Sequence, residues 1–361
     1  MHMLITGGAG FIGSHLAEAL LAQGHSVTAV DDLSTGRLAN LDSIAQHPNF
    51  QFIYESITNE TVMDRLASTS QVIFHLAAAV GVELIVRDPV RTLETNIQGT
   101  ETMLRLARRY RTKLLVASTS EIYGKSTDLP FREDADRVMG PTTKSRWSYA
   151  ESKAIDEFLA LAYHKQFGLP IVICRFFNTV GPRQTGSYGM VIPRLVEQAL
   201  AGQPLTVYGS GQQTRCFCNV RDTVRAIIAL ALEPAAVGGI YNVGSQEEIT
   251  IQQLAERVRA RTGSASEIVR VPYDQAYEVG FEDMQRRVPA LDKVKAMIGW
   301  APTIALQRDS FFPFPARWQT MSASLRRQHT LLKLPICKLL NVGSKLQYSL
   351  QCPFRGCWGS R

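Results

Sequence analysis

Short runs of aliphatic residues alternate along most of the chain with longer segments whose apolar positions recur at helical spacing. The runs predict strands at residues 4–6, 26–30, 50–54, 71–79, 113–121 and 171–178. The spacing predicts helices from residue 11, at 92–110 and from about 148. Strands that alternate with helices in this way are typical of a parallel sheet covered on both faces. We therefore predict an α/β fold with a doubly wound parallel sheet of the Rossmann type, and 361 residues leave room for a second, smaller lobe.

The stretch at residues 4–13 carries the strongest local signal. A strand runs into a turn that contains Gly7 and Gly10, and a helical pattern begins beside Gly13. Glycine lets the chain reverse, lets a pyrophosphate approach the backbone and lets a helix pack against its strand. Free N–H groups at the helix start would then face the phosphates. A turn without a ligand is the alternative, but the flanking strand and helix favour a dinucleotide site that includes Phe11 and Ile12.

The end of the second predicted strand indicates which dinucleotide is bound. Asp31 follows Gly13 by eighteen residues, where a carboxylate can accept hydrogen bonds from both ribose hydroxyls of an adenosine. Its charge would repel a 2′-phosphate, so we predict NAD, although nearby Arg37 keeps NADP open. The polar loop with Asp32 and Ser34 would close over the ribose. Leu76 and the small residues Ala77 and Ala78 lie at the end of a buried run, where a cofactor can pass.

Polar residues end the strand predicted at 113–121. Thr119, Ser120 and Glu121 follow a buried run, and ligands of parallel sheets bind at the carboxyl ends of strands. A plain polar turn is the alternative. His75 lies within an apolar run, so we predict that it is packed or hydrogen-bonded rather than a catalytic base.

Tyr149 and Lys153 are four residues apart and therefore share one face of a predicted helix. A phenol with its ordinary pKa of about 10 is a poor base at neutral pH. A neighbouring ammonium and a positively charged nicotinamide ring would lower that pKa toward neutrality. Such a pair also occurs by chance on many helices. Its place after a dinucleotide fold and a polar strand end makes it our leading catalytic assignment.

The second half of the chain predicts a smaller lobe. It shows helical patterns at 191–201 and 251–261 and strand patterns at 205–209, 214–222 and 239–244. Arg215 and the pair Arg286–Arg287 are candidates for phosphate contacts, because a guanidinium group pairs with phosphate oxygens bidentately. For one member of the Arg286–Arg287 pair, a solvated surface position is an equally good interpretation.

The formal net charge of +7 is not spread over the whole chain. Eight basic residues and no acidic ones lie in residues 310–361, so the remainder is close to neutral. This distribution gives no support to nucleic-acid binding by the body of the protein. Six cysteines without paired spacing predict reduced thiols and no metal site. We expect no signal peptide and no membrane span, and hence a cytoplasmic protein without a membrane partner.

Taken together, these motifs resemble the extended short-chain dehydrogenase/reductases of the nucleotide-sugar epimerase and dehydratase group, from residue 1 to about 306. The matching segments are 6–13, 75–78, 96–100, 149–153, 175–178, 181–183 and 298–300. The resemblance implies an NAD-binding domain mainly in residues 1–175 and a nucleotide-sugar lobe mainly in 176–306, with the chain crossing between them. It also implies a homodimer built on helices 92–110 and 148–167.

The same resemblance implies a first chemical step. Tyr149 removes the proton of the sugar 4-hydroxyl while NAD accepts the C4 hydride, which leaves a 4-keto sugar. Lys153 would hold the nicotinamide ribose and tune Tyr149, Thr119 would bind the same hydroxyl, and Asn96 joins the cofactor-binding residues. The implied substrate residues are Asn178, Arg215 and Arg286 at the diphosphate and Leu205 and Tyr208 beside the base. Apart from the resemblance, we expect the polar groups of Thr119, Ser120 and Arg183 to hold the sugar carboxylate.

The fate of the ketone decides which reaction is completed. Hexose dehydratases carry an acid where this chain has Ser120, so dehydration is disfavoured. The run from Thr119 to Glu121 is similar to those of UDP-glucuronate decarboxylases and UDP-glucuronate 4-epimerases. Arg146–Trp147 and residues 280–289 are closer to the epimerases. We therefore expect a 4-epimerase of a UDP-hexuronate or UDP-hexose, with a UDP-glucuronate decarboxylase second and a non-catalytic NAD(H)-binding regulatory protein third.

Residues 307–361 lie beyond the resemblance. They form an atypical basic tail that we expect to be poorly ordered and inessential to the chemistry. A basic appendage for a membrane or an acidic partner is the alternative.

Overall fold

The computed structural model describes residues 1–80, 88–186, 190–276 and 284–306. Our expectations for the tail at 307–361 and for residues 280–283 lie outside the described residues. No helix within the described ranges is both long and apolar enough to cross a membrane.

The strands follow the predicted positions closely in the first half of the chain. They are β1 (His2–Thr6), β2 (Ser26–Asp31), β3 (Phe50–Tyr54), β4 (Val72–His75), β5 (Lys113–Thr119), β6 (Ile171–Phe176), β7 (Thr179–Val180), β8 (Leu205–Tyr208), β9 (Thr214–Cys216), β10 (Cys218–Asn219), β11 (Ile240–Val243), β12 (Glu248–Thr250) and β13 (Ile268–Val271). Seven of them form a parallel sheet in the order β11-β6-β5-β4-β1-β2-β3. The predicted doubly wound α/β fold is confirmed.

Helices cover both faces of this sheet. They are α1 (Phe11–Ala22), α2 (Glu60–Ser68), α3 (Pro89–Tyr110), α4 (Ser148–Phe167), α5 (Val191–Leu200), α6 (Val220–Leu232), α7 (Ile251–Thr262), α8 (Tyr273–Ala276) and α9 (Asp292–Ile298). Alternate residues of β1 show the two layers. Met3 and Ile5 belong to the core shared with α1 and α6, whereas Leu4 belongs to the core shared with α2, α3 and α4. Burial on both faces explains why these strands are apolar runs without polar alternation.

Side-chain caps fix where the long helices begin. Asp88 accepts a hydrogen bond from the Arg91 N–H at the start of α3, where Pro89 occupies the first turn. Thr250 and Gln253 form a reciprocal capping box at the start of α7. Helix α4 ends at Gly168, which adopts the left-handed conformation that glycine favours.

The smaller lobe is built from short paired strands and two helices. Strands β8 and β13 pair in parallel, β9 and β12 pair antiparallel, and α5 and α7 enclose an apolar core with Leu195 and Leu254 at its centre. The chain crosses between the lobes, since β11 and α6 pack in the larger one. The domain boundary near residue 175 stays a prediction.

Two predictions in the second half are wrong. The single strand predicted at 214–222 is broken into β9 and β10, and α6 begins at Val220 because Asn219 caps it by accepting from the Arg221 N–H. The strand predicted at 239–244 does not belong to the smaller lobe. It is β11, which pairs with β6 and extends the large sheet. Its buried Tyr241 and Val243 complete the core against α6, and a sequence pattern alone does not specify which sheet edge receives a strand.

Candidate active site

The glycine turn lies where the first strand meets the first helix. The Gly7 and Gly8 N–H groups both donate to the Val30 carbonyl, at 2.8 and 3.1 Å, which closes the turn against β2. A Cβ added to Gly13 would lie 2.2 Å from the Gly7 carbonyl oxygen, so no larger residue fits there. Helix α1 begins at Phe11 without a side-chain cap. Its first turn lines a cavity of about 710 Å³, as the phosphate-site prediction requires.

The adenosine end of the cavity is formed by the loop after β2. Asp31 accepts from the Ala9 N–H at 3.0 Å and from the Leu33 N–H at 2.8 Å, which fixes its carboxylate in the cavity wall. Burial raises the pKa of Asp31. Asp32 accepts from the Ser34 N–H at 2.9 Å, and both line the same cavity. Leu76, Ala77 and Ala78 also line it, after β4.

Asn96 does not reach the cavity wall, contrary to the cofactor contact that we expected. Its side chain is buried, accepts from the Ala79 N–H at 2.8 Å and donates to the Ser152 hydroxyl at 3.2 Å. Asn96 therefore ties the loop after β4 to α4.

His75 is packed, as predicted. Its two ring nitrogens lie 2.8 Å from the Thr6 hydroxyl and 3.1 Å from the Thr100 hydroxyl. Burial, assisted by the charge of Lys153, lowers the pKa of His75 to about 3. The ring is therefore neutral near pH 7 and has no exposed nitrogen with which to act as a base.

The predicted catalytic residues meet at the carboxyl end of β5. Thr119 ends that strand, Ser120 and Glu121 begin the following 3₁₀ turn, and Tyr149 and Lys153 lie on the first turns of α4. All five residues line the cavity that the glycine turn also lines. The structure thus brings together groups that are up to thirty-four positions apart in the sequence.

The environment of Tyr149 differs from our expectation. Burial raises the pKa of Tyr149, and the negative charges of Glu121 and Asp156 raise it further, whereas Thr119 acts in the opposite direction by hydrogen bonding. Lys153 points its Nζ at Asp156 Oδ2, 2.7 Å away. Because its charge is compensated there, Lys153 does not by itself make Tyr149 acidic. The predicted lowering of this pKa also requires a positively charged nicotinamide ring, and it stays a prediction.

Glu121 is held between two arginines. Its Oε2 lies 2.5 Å from an Arg146 nitrogen and its Oε1 lies 2.8 Å from an Arg287 nitrogen. Burial would raise the pKa of Glu121, but the two guanidinium groups outweigh it and hold this pKa far below its usual range. Glu121 is therefore ionised at neutral pH and has no proton to donate. Both arginines are buried and line the cavity.

Arg287, not Arg286, is the arginine of this site. Arg286 is exposed, pairs with Glu248 at 2.6 Å and is not part of the cavity wall. Adjacent residues of an extended segment point to opposite sides, so only one of the two can face the cavity. Glu248 on the neighbouring strand β12 pairs with Arg286, so Arg286 is the residue of the two that points to solvent. The site also includes Arg146, which the sequence analysis named only as part of the family resemblance and not as a site residue.

The predicted substrate residues divide into two groups. Asn178, Tyr208 and Arg215 line the cavity, and the Asn178 amide donates to the Cys216 carbonyl at 3.0 Å. Leu205 does not line it, because its side chain points into the core of the smaller lobe.

Arg183 lines the cavity but faces the cofactor side. Its guanidinium group donates to the Ser14 hydroxyl at 3.2 Å and forms an ion pair with Glu18, and both partners lie on α1. This placement differs from the contact with the sugar carboxylate that we expected.

A parallel sheet with a glycine turn, a buried carboxylate at the end of its second strand and a Tyr/Lys pair at its carboxyl edge is typical of a dinucleotide-dependent enzyme of the short-chain dehydrogenase/reductase class. The profile of the GDP-mannose 4,6 dehydratase family matches residues 4–308. The chain belongs to that family of extended short-chain dehydrogenase/reductases, as the sequence motifs predicted.

Individual relatives differ in the reaction that their names describe. The chain is 44% identical over 306 residues to the UDP-N-acetyl-alpha-D-glucosaminuronate decarboxylase of Bacillus cytotoxicus, covering 84% of this chain and 94% of the relative. It is 39% identical to UDP-glucuronic acid decarboxylase 1 of Xenopus tropicalis, covering 84% and 69%. The structure of UDP-glucuronic acid 4-epimerase from Bacillus cereus, in complex with UDP-glucuronic acid and NAD, superposes with a TM-score of 0.77 at 30% identity, covering 86% and 96%.

Proposed function

We propose that this protein is an NAD-dependent decarboxylase of a UDP-hexuronate, which acts through a 4-keto intermediate. The observation that carries the proposal is that Tyr149 and the ion-paired cluster of Arg146, Glu121 and Arg287 line the same cavity. The phenol can remove the proton of the hydroxyl that is oxidised, and the guanidinium groups suit a substrate that carries a carboxylate.

The residues present fit NAD. The glycine turn places uncapped N–H groups at a helix start, and no Cβ fits at Gly13. Asp31 is fixed in the wall beside them, where a ribose can donate to it. Lys153 lines the same cavity and would hold the second ribose. When bound, NAD supplies an acceptor for the C4 hydride and a positive ring that lowers the pKa of a nearby phenol.

Tyr149 is the group that moves the proton. Its phenolate oxygen takes the proton of the sugar 4-hydroxyl, and Thr119 orients that hydroxyl from the end of β5. The resulting ketone stands β to the carboxylate. Loss of CO2 breaks the C5–C6 bond and moves its electron pair to the ketone oxygen, where protonated Tyr149 and Thr119 donate to the developing charge. The enolate then takes a proton at C5 from water, which restores the C4 ketone. Tyr149 gives its proton back to the C4 oxygen as the hydride returns to C4, so that the cycle would leave a UDP-pentose and regenerate NAD.

Two features favour decarboxylation over dehydration as the reaction, and a hexuronate over a neutral hexose as the substrate. The position after Thr119 is Ser120, and Glu121 is ionised, so neither supplies the acid that dehydration needs. The relatives at 44% and 39% identity bear names of hexuronate decarboxylases, one of them an N-acetylated one. This replaces the preference for an epimerase that the sequence motifs alone favoured.

A 4-epimerase is the second candidate, because solved epimerases share the fold, including one that holds UDP-glucuronic acid and NAD. An epimerase uses the same first step but keeps the carboxylate near the plane of the ketone. It then returns the hydride to the opposite face of the ring.

One assay separates the two. The full chain is incubated with NAD and either UDP-glucuronate or UDP-N-acetylglucosaminuronate, and products are identified by NMR while CO2 is measured. We expect CO2 and a UDP-pentose-type product, with turnover at least about a hundredfold lower in Tyr149→Phe, which lacks the proton-transfer group. A C4 epimer without CO2 supports the epimerase instead. Bound NAD without turnover of any uronate or hexose favours a regulatory protein.

We also propose a homodimer. Helices α3 and α4 pack against each other, and their outer faces expose Val90, Ile155 and Phe158, with Phe158 66% exposed. Apolar side chains at this density on one helix pair suit a second copy of the same pair. Sedimentation velocity of the unsubstituted protein and of Phe158→Asp tests it. We expect a dimer that the substitution dissociates.

A further inference from the structure

Helix α4 carries a third ionisable residue beside Tyr149 and Lys153. Asp156 follows Lys153 by three residues and is completely buried. Its Oδ2 accepts from Lys153 Nζ at 2.7 Å. Its Oδ1 is also buried and has no hydrogen-bond partner within the described residues. The chemistry derived above uses Tyr149 and Lys153 but gives no role to Asp156.

The other charged groups nearby are already engaged. On the same helix, Glu157 forms a bidentate pair with Arg175 at 3.0 and 2.8 Å, so it does not compete for Lys153. On β4, His75 has a pKa of about 3 and is neutral over the range in which the enzyme would be assayed. From the turn after β5, Glu121 is paired with Arg146 and Arg287. Asp156 is therefore the counter-charge of Lys153.

We propose that Asp156 is a positioning residue, which keeps Lys153 charged and fixed at the floor of the cofactor cavity. The inference rests on the proposed function, in which Lys153 holds a ribose of NAD. An ammonium group has three N–H donors, and the contact with Asp156 uses one while Lys153 still lines the cavity. A buried amine without a counter-charge gives up its proton as the pH rises, and a neutral amine is a much weaker donor to a ribose hydroxyl.

The test is the pH dependence of NAD affinity, measured by calorimetry without any sugar substrate. The proteins are the unsubstituted chain, Asp156→Asn, which is isosteric but uncharged, and Lys153→Met. We expect the unsubstituted chain to bind NAD equally well at pH 6 and pH 9. Asp156→Asn should match it within about twofold at pH 6. At pH 9 it should bind about tenfold more weakly, like Lys153→Met, because one charge-assisted hydrogen bond is lost.

Each other outcome also decides the question. A loss of affinity in Asp156→Asn that is the same at both pH values shows a merely structural role and overturns the proposal. Unchanged affinity at both pH values does so as well. If Lys153→Met binds NAD normally, Lys153 does not hold the cofactor and the proposal falls, whereas the decarboxylase assay above stands on its own products.

A folding failure is informative too. If Asp156→Asn does not fold but the double variant with Lys153→Met does, the buried charge of Lys153 is what Asp156 compensates, which supports the pairing. If the double variant fails as well, Asp156 is needed for something other than Lys153, and the proposal is wrong.

Discussion

Replacing Arg287, which lines the cavity, by methionine should have a larger effect on stability and turnover than the same replacement of its exposed neighbour Arg286. The change keeps most of the apolar stem and removes one of the two cations on Glu121, which lies 2.8 Å away. Glu121 is ionised and only 16% exposed, and it is left with Arg146 alone. Breaking one partner of a buried ion pair typically costs about 3–5 kcal/mol in the free energy of unfolding. The remaining arginine brings the expected cost toward the lower end of that range.

Arg286→Met is the matched control, since it removes the same charge one position away. Arg286 is exposed and its pair with Glu248 is screened by solvent, so we expect little change in stability. Urea denaturation of both variants measures the difference. Turnover of a UDP-hexuronate should fall with Arg287→Met and stay near normal with Arg286→Met. Equal effects of the two substitutions would refute the assignment of Arg287 to the site.

Three further predictions concern single residues. Tyr149→Phe should keep NAD binding by calorimetry but lose at least about a hundredfold in turnover, and near-normal turnover would remove Tyr149 from the mechanism. Gly13→Ala should weaken NAD binding and lower stability by about 1–3 kcal/mol, because its Cβ would meet the Gly7 carbonyl at 2.2 Å; normal binding would contradict this. His75 has a lower pKa in the folded protein than in the unfolded chain, so its contribution to stability is present above about pH 6.5 and is lost as the pH falls. Between pH 6.5 and 4.5, the stability of the unsubstituted protein relative to His75→Gln should fall by up to about 1.4 kcal/mol per pH unit, and parallel urea-denaturation profiles would argue against it.

The large sheet could be predicted because its signals are local. The strands β1, β2, β4, β5 and β6 are mostly buried runs, and the glycine turn at Gly7 leads directly into helix α1. The strand β11 has the same local signal but was assigned to the wrong lobe. Its place is decided by the open edge of β6 and by the packing of Tyr241 under α6. The pairing of β11 with β6 joins residues about seventy positions apart, and an alternating pattern within one strand does not indicate which strand it pairs with.

Candidate site residues divide along the same line. Residues fixed by their own turn or helix, such as Gly13 and the Tyr149/Lys153 pair, lie where the pattern placed them. Residues whose orientation depends on a partner remote in the sequence do not lie where the pattern placed them. Leu205 points into a core, and the choice between Arg286 and Arg287 depends on Glu121 and Glu248, which are remote in the sequence. A family motif identifies a position but not the partner that turns its side chain.

The raised pKa of Tyr149 has a consequence for how a reaction of the proposed type would be controlled. Tyr149 is buried and faces the anions Glu121 and Asp156. Lys153 is already paired with Asp156, so its ammonium group does little to stabilise a phenolate at Tyr149. Without a cofactor the phenol therefore stays protonated and cannot take a proton from a sugar. A positive nicotinamide ring bound beside the phenol would lower its pKa. Activation of the base would then depend on the oxidised cofactor, and the reduced form would leave the phenol inert toward a fresh substrate.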